Sequence, residues 1–151
     1  MDELMNELMT GETTAVGQEQ TLLLAESAGF ARLLMLLCGA LGYGLLEVFW
    51  RGYTHWSMLV AGGICLPAID CIDRTVGGIS DGAKAFCAAL LITGIELVLG
   101  LVFNILLEQQ VWDYTAVPFN FYGQICLPFF LVWLGLAYII IKSVRRLRSA
   151  F

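Results

Sequence analysis

Glu96 stands near the middle of a long apolar run, and Ala89, Thr93, Gly100 and Asn104 recur on its helical face at spacings of three or four. The stripe is small and polar, so a neighbouring helix can approach it closely. A carboxyl group at the centre of a bilayer is costly unless it is protonated, paired or facing water. Such a group marks an ion or proton pathway, or else makes a structural hydrogen bond to the next helix. A similar stripe occurs earlier, in Ala40, Gly44, Glu47 and Arg51. Here Glu47 precedes Arg51 by one turn, an order in which the two pair favourably on their own helix. Asn120 and Gln124 are four residues apart and are expected one turn apart on the last helix, where amides join helices or line a polar vestibule. The candidates for a polar pathway are therefore Glu96, Asn104, Glu47, Arg51, Asn120 and Gln124, with Glu96 leading.

The same residues argue against several kinds of catalysis. No Ser/His or Cys/His pair, metal set or phosphate cradle accompanies the carboxylates, so no catalytic residue is assigned. His55 is the one histidine. The five cysteines (Cys38, Cys65, Cys71, Cys87 and Cys126) have no CxxC spacing, so metal, haem and redox readings are weak and the thiols read as small apolar packers. Neither a metal nor a cofactor is expected, and nucleic acid is not among the expected partners. No GxxxxGK[ST] occurs, so any ATPase has to be a separate subunit.

The elements that carry these residues are built for lipid. Hydrophobic residues make up 59% of the 151-residue chain and charged residues only 14%, against about a quarter in soluble domains. Mean hydropathy is +0.80. Spans of about 20 residues are expected at 30–50, 56–72, 86–107 and 119–141. The second is short and contains Pro67, and an internal repeat argues that it crosses. Residues 45–67 and 106–128 match at a constant offset of 61, with 10 identities in 23 columns, including Glu47/Glu108, Tyr53/Tyr114 and all of Ile64–Pro67 with Ile125–Pro128. The expected fold is an all-α integral membrane protein, a four-helix transmembrane bundle built from two tandem two-helix repeats (about 29–80 and 83–142) within a membrane domain at 29–142. Both halves then insert with the same orientation, related by an axis along the membrane normal.

Charge sets the expected orientation. Arg32, Arg74, Lys84, Lys142, Arg145, Arg146 and Arg148 fall on one side and Arg51 on the other, which assigns both termini of a multi-pass cell-membrane protein to the cytoplasm. The basic segment 143–151 reads as an orientation signal able to touch anionic headgroups. Residues 1–28 form an acidic cytoplasmic segment. Asp2, Glu3, Glu7, Glu12, Glu19 and Glu26 stand there without a basic residue among the first 26, unlike a targeting peptide. Met1, Leu4, Met5 and Leu8 recur at helical spacing until Gly11 breaks the run, so the segment is a short amphipathic helix or a frayed acidic tail.

The stretch Trp112-Asp113-Tyr114-Thr115, Pro118-Phe119-Asn120 and Gly123-Gln124-Ile125-Cys126, with Gly94–Asn104 upstream and Gly42–Glu47 in the first span, resembles the small multispan bacterial family of CmpB-type ABC-transporter permeases. It is similar also to the vertebrate transmembrane protein 229 family. The resemblance covers about residues 35–148. It places Trp112, Asp113, Tyr114 and Gly123 among the marked positions, together with Glu47, Arg51, Gly52, Glu96, Asn104 and Asn120. Thr115 replaces the usual Ser, and a Gly/Pro-rich stretch after Gly52 is reduced to Ser57-Met58-Leu59. The resemblance implies a membrane transport component. Four helices are too few to enclose a sizeable solute route alone, so the expected role is a small integral transport protein, channel-like or a transporter component formed by homo-oligomerisation, with a separate ATPase or other subunit as a potential partner. Two alternatives stand beside it: a membrane scaffold or phage-type lysis protein, and an intramembrane enzyme acting on lipid.

Overall fold

The computed structural model describes the backbone of residues 2–150 and the side chains of residues 25–149. Four helices dominate: α1 (Asp2–Arg51), α2 (Trp56–Thr75), α3 (Asp81–Gly100) and α4 (Leu127–Ala150). Each contains a stretch long and apolar enough to cross a membrane, namely Ala25–Arg51, Trp56–Thr75, Asp81–Leu106 and Leu127–Ser149. The chain divides into two compact units, Met1–Met35 and Leu36–Phe151, and the second holds every candidate site residue. In the first unit the helix runs through Gly11 without a break. Glycine costs a helix interior only about 1 kcal/mol, which its neighbours outweigh.

The two ends of α2 and the start of α3 follow local rules. His55 caps α2, its Nδ1 accepting from the Ser57 N–H at 3.4 Å. Ser80 caps α3 through the Ala83 N–H, which moves the start of that helix back to Asp81 from the expected 86. At its far end α3 widens into a π-helical turn over Leu101–Leu106, where the Leu107 N–H reaches back to the Val102 carbonyl at 2.9 Å. Asn104 lies in that turn.

The last span begins later than expected. Residues 119–126 are not helical; they carry a two-stranded antiparallel hairpin, β1 (Asn120–Phe121) with β2 (Ile125–Cys126), in which Asn120 faces Cys126. Phe119, Tyr122 and Gly123 all have positive φ, which no helix accommodates. Pro128, not Pro118, occupies the first turn of α4, where a missing N–H costs nothing. Had the helix started at 119, Pro128 would have sat in its interior at a cost of about 3 kcal/mol. Asn120 and Gln124 therefore do not lie one turn apart on a helix; both belong to the loop that precedes it.

The duplicated sequence occupies unlike local structure. Ile64–Pro67 lies within α2, whereas Ile125–Cys126 is a strand and Leu127–Pro128 opens α4. Glu47 is a helical, buried residue, and Glu108 is exposed with φ +53°. Residues 107–126 form a long connection between helices where residues 52–55 form a short one, so matched residues stand in different elements.

The core lies between α2, α3 and α4. Ala85, Ala88 and Ala89 of α3 meet Ala137 and Ile141 of α4, with Cys65 and Ile69 of α2 closing the cluster. Small side chains let the helices approach closely, the contact that holds helices together in lipid. Glycine does the same between α1 and α2: a Cβ on Gly39 would stand 2.2 Å from the Gly62 carbonyl oxygen, and one on Gly62 2.4 Å from that of Gly39. A second buried cluster, Met58, Phe103, Val111 and Trp112, packs the opposite end of the bundle under the long loop.

Candidate functional site

The long loop is held by side chains, because its backbone makes little regular structure of its own. Asn104 is the central clamp. Its Nδ2 donates to the Trp112 carbonyl at 3.0 Å and to Gln124 Oε1 at 2.7 Å, and its Oδ1 accepts from the Val111 N–H at 2.6 Å. The Trp112 indole N–H donates to the Gln124 carbonyl at 2.9 Å, and Gln124 Nε2 donates to the Tyr122 carbonyl. Burying amides costs free energy unless each finds partners, and these do. The site's need for room explains Gly100, where a Cβ would fall 2.5 Å from Gln124 Oε1.

Downstream the same loop closes on itself. Asp113 accepts from the Thr115 N–H and hydroxyl, and Asn120 bridges the Thr115 and Val117 carbonyls while accepting from the Gly123 N–H. Gly123 has φ +67°, and a Cβ there would press on Thr115 Cγ2 at 2.8 Å and Asp113 Oδ1 at 3.0 Å. Only glycine meets both demands.

Glu47 and Arg51 pair as their spacing predicts, at 2.5 Å. The pair does more than that. Glu47 Oε2 also accepts from the Thr54 hydroxyl at 2.7 Å, and Arg51 donates to the Val111 carbonyl at 2.6 Å, tying the end of α1 to the long loop. The guanidinium also lies 5.0 Å from the centre of the Tyr53 ring.

Glu96 is 4% exposed and fully engaged. Its Oε2 accepts from the Trp133 indole N–H at 2.7 Å, and its Oε1 lies 3.5 Å from the Tyr114 hydroxyl. The Tyr114 phenol is held well above its ordinary pKa, first by burial and then by the Glu96 charge, so it remains a donor. Tyr43 stacks on Trp133 with ring centroids 5.6 Å apart, and Tyr114 stacks on Phe129 at 4.7 Å.

Above this aromatic floor lies a cavity of about 1080 Å³. It is bounded by the end of α1, the start of α4 and the loop. Glu47, Arg51, Asn104, Trp112, Asp113, Tyr114 and Gln124 all line it. Glu96 does not reach the wall; it sits behind Tyr114 and Trp133. Asn120 and Gly123 shape the loop without lining the space. Sequence reasoning missed Trp133, Tyr43 and Thr54, since an aromatic or a threonine in an apolar run carries no polar spacing to mark it.

It missed the other end of the bundle as well. Asp73 is buried there beneath Lys84 Nζ at 3.1 Å and the guanidinium groups of Arg145 and Arg148. Asp81 binds Lys142 at 2.6 Å and Arg145 at 3.0 Å, and Asp70 binds Arg74 at 2.7 Å and Arg148 at 3.5 Å. The basic tail is thus the last turns of α4 engaged in ion pairs, with Arg145 and Arg148 directed at protein carboxylates and not at headgroups. Among the described residues, no group of three or more His, Cys, Asp or Glu side chains is arranged to hold a metal ion.

A family model described as "Putative ABC-transporter type IV" matches residues 19–151. The match is wider than the stretch of 35–148 that carries the recognisable blocks. No curated protein and no solved structure matches the chain.

Proposed function

We propose that this chain, a member of the Putative ABC-transporter type IV family, is a membrane transport component whose binding chamber is the cavity at the loop end. The observation that carries the reading is the chamber itself. At about 1080 Å³ it is slightly larger than the roughly 300–1,000 Å³ usual for small-molecule sites. Its wall mixes paired charges, amides and aromatic faces, the composition of a site that must hold a polar solute within a membrane. The floor is the Tyr43–Trp133 stack with Glu96 behind it, so the hydrogen bond from Trp133 to Glu96 is the contact that must open for passage toward the other end.

Four crossings return the chain to the side on which it began, and the basic excess lies at that end, in Arg74, Lys84, Lys142, Arg145, Arg146 and Arg148. That end is cytoplasmic by the positive-inside bias, and the chamber faces outward. A bundle of this size has little room for a complete route, so the working form is a homo-oligomer, and the ATP-hydrolysing subunit, if one drives it, is a separate chain docking at the ionic end. A scaffold or lysis role has no use for such a chamber.

Proton and potassium flux into liposomes containing the purified chain tests this reading. Glu96→Gln keeps the shape and can still accept from Trp133, but it cannot titrate; we expect at least a tenfold loss of flux with assembly intact. Glu96→Leu leaves the Trp133 and Tyr114 donors unpaired and should destabilise the bundle by about 1–3 kcal/mol. Wild-type flux in Glu96→Gln beside a destabilised Glu96→Leu would make Glu96 a structural group and remove it from the route.

A further inference from the structure

The loop-end chamber does not stand alone. A second, apolar crevice of about 280 Å³ lies alongside it, between α1, α2 and α4, and the two share Tyr43, Leu46 and Trp133 as walls. Cys38, Gly42 and Leu136 line the crevice beyond them, and none of its lining residues is charged. From Arg51 to Cys38 the combined space follows α1 for about 20 Å, at 1.5 Å per residue. It is wide and polar at the interface, narrow and apolar within the bilayer. Phe49, Trp50 and Val132 at the chamber rim are exposed within the spans of α1 and α4, so the space opens laterally between these helices.

The chamber's chemistry selects a charge. Arg51 is its one cation, and that guanidinium is committed to Glu47 and the Val111 carbonyl. Asp113 is exposed and, among the described residues, accepts from Thr115 on its own turn and from no cation. Five aromatic rings, Trp50, Tyr53, Trp112, Tyr114 and Phe129, complete the wall. Ring faces attract ammonium groups, most strongly where water is excluded. A crevice of about 280 Å³ accommodates one alkyl chain, not two.

The geometry points to a single-chain amphipath with an ammonium head, taken laterally from the bilayer, as the ligand of this site. The head lies among the rings and Asp113, and the alkyl chain lies in the crevice below Tyr43 and Trp133. This inference deepens the transport reading and rests on it for the onward passage of the bound ligand, although binding itself requires no transport. Gly42 supplies the decisive variant. A Cβ at that position meets nothing within 4 Å, so Gly42→Leu starts its side chain in the open space of the crevice and replaces a poor helix former with a good one.

The test uses the full chain in galactolipid nanodiscs, with dodecyltrimethylammonium brominated at the chain terminus as probe and indole quenching as readout, since Trp133 borders both spaces. We expect saturable quenching at concentrations at least tenfold below those needed by equally brominated dodecyl sulfate. Gly42→Leu should raise the midpoint tenfold or more with an unfolding temperature no lower than that of the wild type, and Asp113→Asn should narrow the preference for the cationic head. Equal quenching by the two heads, or a midpoint unmoved in Gly42→Leu, would mean partition into the bilayer alone and would overturn the site. Intact binding with no flux in liposomes would instead leave the site standing and remove the transport reading.

Discussion

The two ends of the bundle solve the problem of polar groups in lipid in opposite ways. At the ionic end, carboxylates of α2 and α3 meet cations of α3 and α4 directly, and Asp73, with a side chain only 5% exposed, lies under three of them. Charge meets charge and the end closes. At the loop end, a single ion pair, Glu47 with Arg51, is outnumbered by amides, indoles and phenols whose partners are mostly backbone atoms of one irregular loop. Neutral groups bonding to a backbone that holds its own shape leave space between the helices, and the cavity lies there. The difference teaches that the ionic end is a clamp, whereas the loop end is a cavity held open by its scaffold.

If so, substitutions should separate the two ends by size of effect. Asp73→Ala should be the most costly, about 3 kcal/mol by unfolding in detergent. Breaking a buried ionic group costs about 3–5 kcal/mol, and contact of Arg145 and Arg148 with solvent puts this case at the low end. Asn104→Leu should cost about 2 kcal/mol and collapse the chamber, because it strands the Val111 N–H, the Trp112 carbonyl and Gln124 Oε1 together. Its signature should be local: faster hydrogen exchange across 107–126 with α2 and α3 still protected. Gly123→Ala should cost about 1–2 kcal/mol, from the left-handed backbone and the contact with Thr115. Arg74→Ala, whose side chain is 53% exposed, should change stability by less than about 0.5 kcal/mol. A loss at Arg74 as large as that at Asp73 would erase the distinction between a buried clamp and its solvated edge.

Much of this architecture is legible in the sequence, and the remainder is hidden for identifiable reasons. Four apolar stretches announce four spans because lipid leaves little choice of structure. Glu47 and Arg51 sit one turn apart on one helix, and their pairing follows from that spacing alone. Glu96 stands out as a carboxyl in an apolar run. Its partner Trp133 does not, since nothing local distinguishes a hydrogen-bonded indole from a packed one. The start of α4 is hidden because Phe119–Gly123 continues the apolar pattern of the helix, while the positive φ angles there accompany a non-local contact, the Tyr114 N–H on the Gly123 carbonyl. The ion pairs of Asp73 with Arg145 and Arg148 span more than 70 residues, and no periodic pattern reports a contact of that range.

The central claim is that solute enters through the loop-end chamber, and blocking its walls tests this most directly. Leu46→Trp on α1 and Val132→Trp on α4 add bulk from opposite sides of the cavity, away from every hydrogen bond of the loop. Cation flux into liposomes, compared at equal protein density with Arg74→Ala as control, should fall at least tenfold in both blocked variants and stay at the wild-type level in the control. Wild-type flux through both tryptophan variants would contradict the account and place the route elsewhere.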